Sequence, residues 1–144
     1  MRWQVTRKLI ERGSDVNAAD HDGQTALICL PIAPRPRFAL TGNDNLARLI
    51  TAALLIDHGA NINARDSAGD SALMKATMEN NVEIARWLIE HGADVNAANK
   101  QGQTPLSYAA SDAKYAAMEK LLRESGAKPY RVTRSASGAA KCGN

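Results

Sequence analysis

Residues 66–98 have the sequence DSAGDSALMKATMENNVEIARWLIEHGADVNAA, and a related sequence follows 33 residues later. Gly69 and Leu73 recur there as Gly102 and Leu106. An earlier copy ends in Gly-Ser-Asp-Val-Asn-Ala at residues 13–18, which matches the Gly-Ala-Asp-Val-Asn-Ala near the end of the quoted stretch. An internal period of this length indicates a solenoid of repeat units, each packed on its neighbours.

The residues at fixed places in this period resemble the ankyrin repeat. Thr104-Pro105-Leu106 and Ala109-Ala110 follow Gly102, and a Leu-Leu pair and a Gly-Ala-x-x-Asn turn occur at the family's spacing. The resemblance covers roughly residues 3–128. It implies an all-α solenoid of stacked helix-turn-helix units with β-hairpin-like turns, about three repeats plus an N-terminal half repeat.

One position departs from the family pattern. The family tetrapeptide usually ends in His, whereas Ile28, Met74 and Ser107 stand in that place here. The Thr-to-His hydrogen bond common in the family is therefore missing, and each repeat is expected to be somewhat softer than the family norm.

The period also divides the chain, with residues 1–130 forming one predicted ankyrin domain. The predicted units are a half repeat at 3–19 and repeats at 20–65, 66–98 and 99–128. The repeat at 20–65 is 13 residues longer than the next one, and we assign the excess to an insertion at residues 31–43, which holds three prolines. Residues 131–144 lack apolar periodicity and are expected to form a disordered basic tail.

Capping residues and apolar spacing predict the helices. Thr25 is expected to N-cap a helix from Ala26 to Leu30 that ends at Pro31. Asn80 is expected to take the left-handed backbone conformation that the family usually gives to glycine. One extra residue in the last repeat is placed in the final turn before Gly126. The other predicted helices cover 45–57, 72–78 and 82–90, with a last pair in which Thr104 caps and Pro105 fills the first helical position.

Composition limits the possible functions. Of the 144 residues 44% are hydrophobic but only 4% are aromatic, which suits thin layers of aliphatic helices. The net charge of +3 belongs to the tail, because four basic residues lie beyond residue 127 and leave 14 basic against 15 acidic residues before it. We therefore expect no nucleic-acid partner. No apolar run approaches the roughly 18 residues of a membrane span and no signal peptide is recognised, so a cytoplasmic location is expected.

No catalytic or metal-binding motif stands out. His58 and His91 precede helix-ending glycines, where a cation favours the helix dipole, and His21 lies at a predicted hairpin tip. Cys29 is interpreted as a small core residue and Cys142 as a free thiol in the tail. Because nucleophile, phosphate-binding and zinc motifs are missing, we expect no enzyme activity, no cofactor and no metal.

An asparagine recurs at the same place in three turns, as Asn17, Asn63 and Asn96. Recurrence at one place of the period indicates a structural role. We expect each side chain to satisfy backbone groups of its hairpin turn.

The resemblance implies a non-enzymatic scaffold that binds a partner protein through the concave surface formed by hairpin tips and first helices. The residues that differ between repeats at these places are the predicted contacts. They are His21, Asp22, Gln24, Arg65, Ser67, Asp70, Met78, Glu79, Lys100, Gln101, Gln103, Ser111 and Asp112, with Arg35, Arg37 and Phe38 from the insertion.

The sequence is also compatible with two other functions. The chain is either a truncated structural segment of a longer ankyrin array or a regulatory subunit that docks an enzyme. The apolar Trp3, Val5, Leu9 and Ile10 of the half repeat lack a partner helix, which favours the first alternative and also predicts self-association through this end. Co-purification with an enzyme would favour the second.

The insertion gives the first testable prediction. Either it is a neutral surface loop, or Arg35, Arg37 and Phe38 form a contact arm in which proline restricts the free chain and so reduces the order lost on binding. Residues 32–43 are replaced by a Gly-Asn turn and affinity for the partner is measured. A contact arm requires an intact fold and a loss of at least tenfold, about 1.4 kcal/mol; unchanged affinity identifies a neutral loop.

Overall fold

A computed structural model of the protein describes residue 8 and residues 10–32 and 44–129. Its helices are α1 (Ala26–Ile32), α2 (Asp44–Asp57), α3 (Ala72–Met78), α4 (Val82–Glu90), α5 (Pro105–Ala109) and α6 (Ala116–Glu124), with a 3-10 turn at Ala113–Tyr115. Residues 10 and 11 are also helical. The described residues contain no strand, but isolated antiparallel bridges close two hairpins, Ala19 with Thr25 and Arg65 with Ser71.

The helices form two layers. α1, α3 and α5 contact one another in that order, and α2, α4 and α6 form the second layer. Each first-layer helix also contacts the second-layer helix that follows it in the chain. The predicted all-α solenoid of stacked helix pairs is confirmed.

The core between the layers is aliphatic. One leucine per repeat faces it from the first helix and one from the second, each with at most 2% exposure: Leu27, Leu73 and Leu106, then Leu55, Leu88 and Leu122. Burial of one such side chain contributes about 1.5–3 kcal/mol. Because the same residue type recurs at the same place, each repeat presents a similar surface to the next.

Asparagine side chains join each repeat to the next. The amide nitrogen of Asn17 donates to the carbonyl of Gly59 (3.0 Å), and its oxygen accepts from the N–H of Asn61 (2.7 Å). We call the three equivalent contacts the asparagine ladder: Asn17 to Gly59 and Asn61, Asn63 to Gly92 and Asp94, and Asn96 to Gly126 and Lys128. The structural role is confirmed, but the bonds cross to the following repeat instead of serving the asparagine's own turn.

The turn itself is held by the residue two places before each ladder asparagine. Asp15, Asn61 and Asp94 each accept a hydrogen bond from the N–H two residues on, at 2.8–3.0 Å. This short contact is an Asx turn, which Asp and Asn form readily. The recurring pair therefore has two duties, one within a repeat and one between repeats.

Two expectations at α1 are wrong. The helix does not end at Leu30 but includes Pro31 and Ile32. A proline has helical φ, and in the last turn it removes only one hydrogen bond. Thr25 does not cap the helix through its side chain, since its hydroxyl is buried with no partner among the described residues.

The last repeat has the complete capping arrangement at the equivalent place. The hydroxyl of Thr104 accepts from the N–H of Ser107 (3.3 Å), and the hydroxyl of Ser107 accepts from the N–H of Thr104 (2.8 Å). Such a capping box needs a polar side chain at the third helical position. Ile28 and Met74 occupy this place in the first two repeats, so neither can complete a capping box, although Ser71 still accepts a hydrogen bond from the N–H of Met74 (3.4 Å).

The extra residue of the last repeat lies between its two helices, which corrects the sequence prediction. α4 and α6 have nine residues each, so the final turns are equal in length. The difference is taken up by the 3-10 turn, where the hydroxyl of Tyr115 donates to the carbonyl of Met78 (3.2 Å). At the equivalent turn Asn80 has φ of 52°, the left-handed conformation predicted for it.

Several predictions fall outside the described residues. Trp3, Val5 and Leu9, residues 33–43 of the insertion and the tail from residue 130 on are among them. Ile10 is described and is 8% exposed. Within the described part of the chain, no helix has the length and apolar character needed to cross a bilayer.

The ladder gives a stability prediction. Asn63→Ala removes two hydrogen bonds between repeats, each with a net value of about 0.5–1.5 kcal/mol, so we expect a loss of about 1–3 kcal/mol in urea unfolding. Gln101→Ala changes an exposed side chain outside the ladder and should stay within about 0.5 kcal/mol of the parent. Equal stability of Asn63→Ala and the parent would mean that the ladder adds nothing to the stack.

Candidate functional site

The hairpins that precede α1, α3 and α5 share one geometry. The carboxylate of Asp66 accepts from the N–H groups of Ala68 and Asp70, both at 2.9 Å. Asp20 and Asn99 accept from the N–H groups two and four residues on in the same way. One side chain thus fixes the shape of each tip.

Backbone hydrogen bonds link successive tips. The N–H of Ser67 donates to the carbonyl of Asp22 (2.8 Å), and the N–H of Lys100 donates to the carbonyl of Ala68 (3.0 Å). Gly69 lies so close to the next hairpin that a Cβ there would be 2.9 Å from the nitrogen of Lys100, and its φ is +85°. Only glycine fits this approach, and the spacing between tips is therefore fixed by backbone alone.

Behind the tips, one position of each first helix points back to its hairpin. Cys29, Lys75 and Tyr108 are equivalent, and each bonds to the side chain five residues earlier. The distances are 3.3 Å from Cys29 to Gln24, 2.7 Å from Lys75 to Asp70 and 2.8 Å from Tyr108 to Gln103. We call these three residues the row behind the tips. The hydrogen-bond geometry is the same at each of them, while the donor group changes from a thiol to an ammonium to a phenol.

Charged and polar side chains connect the last two repeats. Lys75 lies 2.9 Å from Asp66 and 2.7 Å from Asp70, and the side chains of these two acids are 4% and 7% exposed. The amide of Asn99 donates to Asp70 at 2.9 Å and approaches the hydroxyl of Tyr108 at 3.3 Å. We call these five side chains the Lys75 network.

The network changes the pKa of its members. Burial would raise the pKa of Asp66, but hydrogen bonds from Lys75, Asp70 and Ala68 and the charge of Lys75 outweigh it, so the pKa lies below its ordinary 3.8. Burial would lower the pKa of Lys75, but Asp70 and Asp66 outweigh it and raise the value above 10.5. Burial, followed by the charge of Asp70, raises the pKa of Tyr108. At neutral pH the network thus holds an ammonium between two carboxylates and a neutral phenol.

The family model described as ankyrin repeats in three copies matches residues 39–133. This chain belongs to the ankyrin repeat family. A comparison with curated proteins finds no match. Ankyrin repeats generally mediate protein–protein interaction and are typically non-catalytic. The described residues before the matched range repeat the same ankyrin contacts, since Asn17 is a member of the ladder and Asp22 bonds to the next tip.

Most predicted contact residues of the ankyrin surface are exposed in the structure. Gln24 and Met78 are half-buried, and Arg35, Arg37 and Phe38 lie outside the described residues. Asp70 is buried and bonded to Lys75 and Asn99, which leaves it little surface for a partner. The exposed residues are His21, Asp22, Arg65, Ser67, Glu79, Lys100, Gln101, Gln103, Ser111 and Asp112.

The row behind the ankyrin tips is not among the features predicted from the sequence. Lys75 and Tyr108 are half-buried at the base of the tips, and neither is a predicted site residue. A usable signal is present, because a polar side chain stands five residues before each of them. The interpretation of Cys29 as a core residue is wrong: it is exposed, since the row faces away from the aliphatic layer. Its thiol is nevertheless partly shielded from solvent, and this partial burial, followed by the charge of Asp20, raises the pKa of Cys29.

The histidines before the helix-ending glycines have structural contacts. The Nδ1 of His58 is 2.8 Å from the carbonyl of Leu54, and the Nδ1 of His91 is 2.7 Å from that of Trp87. Each ring contacts a last-turn carbonyl of its helix that also accepts from the N–H of the same histidine, so the ring adds a second partner at the helix end. The hydroxyl of Ser125 donates to a carbonyl at the same place in the last repeat. Among the residues that the structure describes, no group of three or more His, Cys, Asp or Glu side chains is arranged to hold a metal ion.

The Lys75 network gives a pH-dependent prediction. The low pKa of Asp66 contributes stability that is present above the unfolded-state value and is lost as the pH falls through the folded-state value. The high pKa of Lys75 contributes stability that is present below 10.5 and is lost as the pH rises through the folded-state value. Lys75→Met leaves two buried carboxylates without their counter-ion, and should cost about 3 kcal/mol at pH 7 in chemical unfolding. The deficit should shrink below about pH 4, as Asp66 takes up a proton.

The control for this variant is Lys120→Met, whose side chain is 76% exposed and forms only a surface pair with Glu124. It should change stability by less than about 1 kcal/mol at either pH. A Lys75→Met deficit that is the same at pH 3 and pH 7 would contradict the electrostatic account and leave lost packing as the cause.

Proposed function

We propose that this chain is a non-enzymatic scaffold that binds a partner protein through the surface formed by its hairpin tips and first-layer helices. The family supports protein–protein interaction in general. That this surface is the binding site, that the residues named above make the contacts and that the chain has no catalytic activity are our proposals. A cytoplasmic location likewise stays a prediction.

The observation that carries the proposal is the set of backbone bonds between tips. Asp22 to Ser67 and Ala68 to Lys100 are joined through backbone atoms, so the side chains at these places are not needed for the joint. Side chains there are free to vary while their spacing stays constant. A surface ordered before binding loses little conformational entropy on association, which favours affinity.

The chemistry of the surface favours a polar protein partner. His21, Asp22, Ser67, Lys100 and Gln101 are exposed along the tips and include both signs of charge. A nucleic-acid partner would require a predominantly basic surface, which this row does not form. The half-buried Tyr108 adds an aromatic side chain at the base of the tips, and tyrosine is enriched among residues that dominate binding energy.

A pair of matched variants tests the surface. The double change Lys100→Glu with Gln101→Glu alters two exposed tip residues, and Lys120→Glu with Ala116→Glu makes the same change in charge on exposed residues of α6. The parent chain is used to capture a partner, and affinities are then measured with the purified components. We expect the tip variant to bind at least tenfold more weakly, about 1.4 kcal/mol, and the α6 variant to bind like the parent.

Two results would contradict the proposal. One is unchanged affinity of the tip variant; the other is an equal loss in both variants, which would point to net charge as the cause. Circular dichroism and thermal unfolding of both variants confirm that any loss reflects the surface and not the fold.

A further inference from the structure

The first repeat can be compared with the two that follow it, position by position. Ala26 begins α1 and is exposed, whereas Ala72 and Pro105, which begin α3 and α5, are buried. One turn later, Leu30 is only half-buried where Ala76 and Ala109 are buried. The same stripe of the first helix is thus open in the first repeat and covered in the other two.

The last repeat shows what covers this stripe. In the first layer α5 contacts α3, and no described helix lies on its other side. Pro105 and Ala109 are nevertheless buried, so these positions face the preceding repeat. By equivalence, Ala26 and Leu30 face the place where a repeat before α1 would lie.

The hairpin of the first repeat agrees with this. Asp66 and Asn99 are each 8% exposed, and a Cβ built on the glycine of the preceding hairpin would touch their backbone. Asp20, in the equivalent place, is exposed. We call the surface of Asp20, Ala26 and Leu30 the N-terminal face.

Backbone groups beside the N-terminal face are also without the partners that their equivalents have. The carbonyl of Gly59 and the N–H of Asn61 bond to the ladder residue Asn17. Their equivalents, the carbonyl of Gly13 and the N–H of Asp15, bond to no described residue. Gly13 has φ of 83° and Gly59 has 86°, so the turn already has the conformation that accepts an asparagine.

A third group lies at the tip. The N–H groups of Ser67 and Lys100 donate to a carbonyl of the preceding tip. The equivalent N–H belongs to His21, and no described residue accepts from it. An exposed apolar stripe is therefore flanked by one acceptor and two donors, all in the pattern that joins repeats within the chain.

We propose that the N-terminal face binds a further ankyrin repeat unit that carries an asparagine at the ladder position. This asparagine donates to the carbonyl of Gly13 and accepts from the N–H of Asp15, and the unit covers Ala26 and Leu30. The interface continues the one between the described repeats, and it is a second binding surface, separate from the tips. The hydrogen-bond pattern, together with the apolar stripe, makes this face specific for an ankyrin repeat unit.

Other occupants within this sequence fit less well. Where no insertion intervenes, a ladder asparagine lies 29 or 30 residues before the glycine to which it bonds. Only 12 residues precede Gly13 in this sequence, so they cannot supply its ladder asparagine at that spacing. Residues 1–7 also contain no asparagine. In a second copy of this chain the ladder position of the last turn, four residues after Gly126, is Tyr130. A tyrosine has its polar atom at the far end of a ring and cannot replace the short amide.

The test uses a probe made of three tandem copies of residues 66–98. Its last copy ends with a ladder asparagine that has no partner inside the probe, so Asn96→Ala in that copy removes the amide without affecting the probe's own fold. Ala72→Glu in the first copy prevents the probe from stacking on itself. Circular dichroism confirms that the probe is folded, and a fourth copy is added if three are not stable enough.

Binding of the probe to the full 144-residue chain is measured by calorimetry and sedimentation velocity. We expect a one-to-one complex that becomes about tenfold weaker when the last copy carries Asn96→Ala. Ala26→Glu in the chain should weaken it at least as much, because a charged side chain would enter the covered stripe. Ala117→Glu, at an exposed position of α6, is the matched control and should bind like the parent.

Three results would overturn the proposal. The first is that no complex forms with the folded probe. The second is that Asn96→Ala in the last copy leaves binding unchanged, since an interface without the amide would be an apolar contact of another kind. The third is that the chain alone forms a dimer that Ala26→Glu abolishes, which would identify a second copy as the occupant.

Discussion

The stack depends on an amide that bonds in two directions across each junction. Asn17, Asn63 and Asn96 each donate to a glycine carbonyl of the next repeat and accept from the N–H of the residue two places after that glycine. Asparagine suits this place because its short side chain carries both a donor and an acceptor, whereas aspartate offers only acceptors. Burial of leucine between the layers contributes more free energy, but it is non-directional. The amide fixes how far one repeat is displaced and rotated relative to the next.

Once the junctions are fixed by the ladder and by backbone bonds between tips, other positions are free to take on new chemistry. The row of Cys29, Lys75 and Tyr108 shows this most clearly, because three unrelated side chains bond five residues back in the same geometry. Lys75 joins its own hairpin to the network that reaches Asn99 in the next repeat. Buried charge of this kind is stable only as long as every partner is present. The polar base of the tips is therefore both a structural joint and the floor of the proposed binding surface.

The sequence predicted the parts of the fold that follow from local rules. The period, the helices at 72–78 and 82–90, the Thr104 cap and the left-handed Asn80 are all confirmed. Errors occurred where a contact outside the local pattern decides. Thr25 has the right residue type for a cap, but its hydroxyl is buried without a partner among the described residues, whereas Ser71 at the equivalent place caps its helix. Cys29 lies in an apolar stretch of sequence but on the helix face that turns towards the tips. Spacing alone also did not show that the extra residue of the last repeat lies in the turn before α6.

The insertion between α1 and α2 shows where the fold is constrained and where it is not. The ladder contact that spans it has distances of 3.0 and 2.7 Å, while the contact of Asn63 has 3.4 and 2.9 Å and that of Asn96 has 3.3 and 2.7 Å. The additional residues therefore leave the junction unchanged. Doubling the length of a loop costs about 0.6 kcal/mol in closure entropy, less than the two bonds of one ladder contact contribute together. The fold thus requires that the turn after α2 place Gly59 opposite Asn17, and it constrains the path of the chain between α1 and α2 much less.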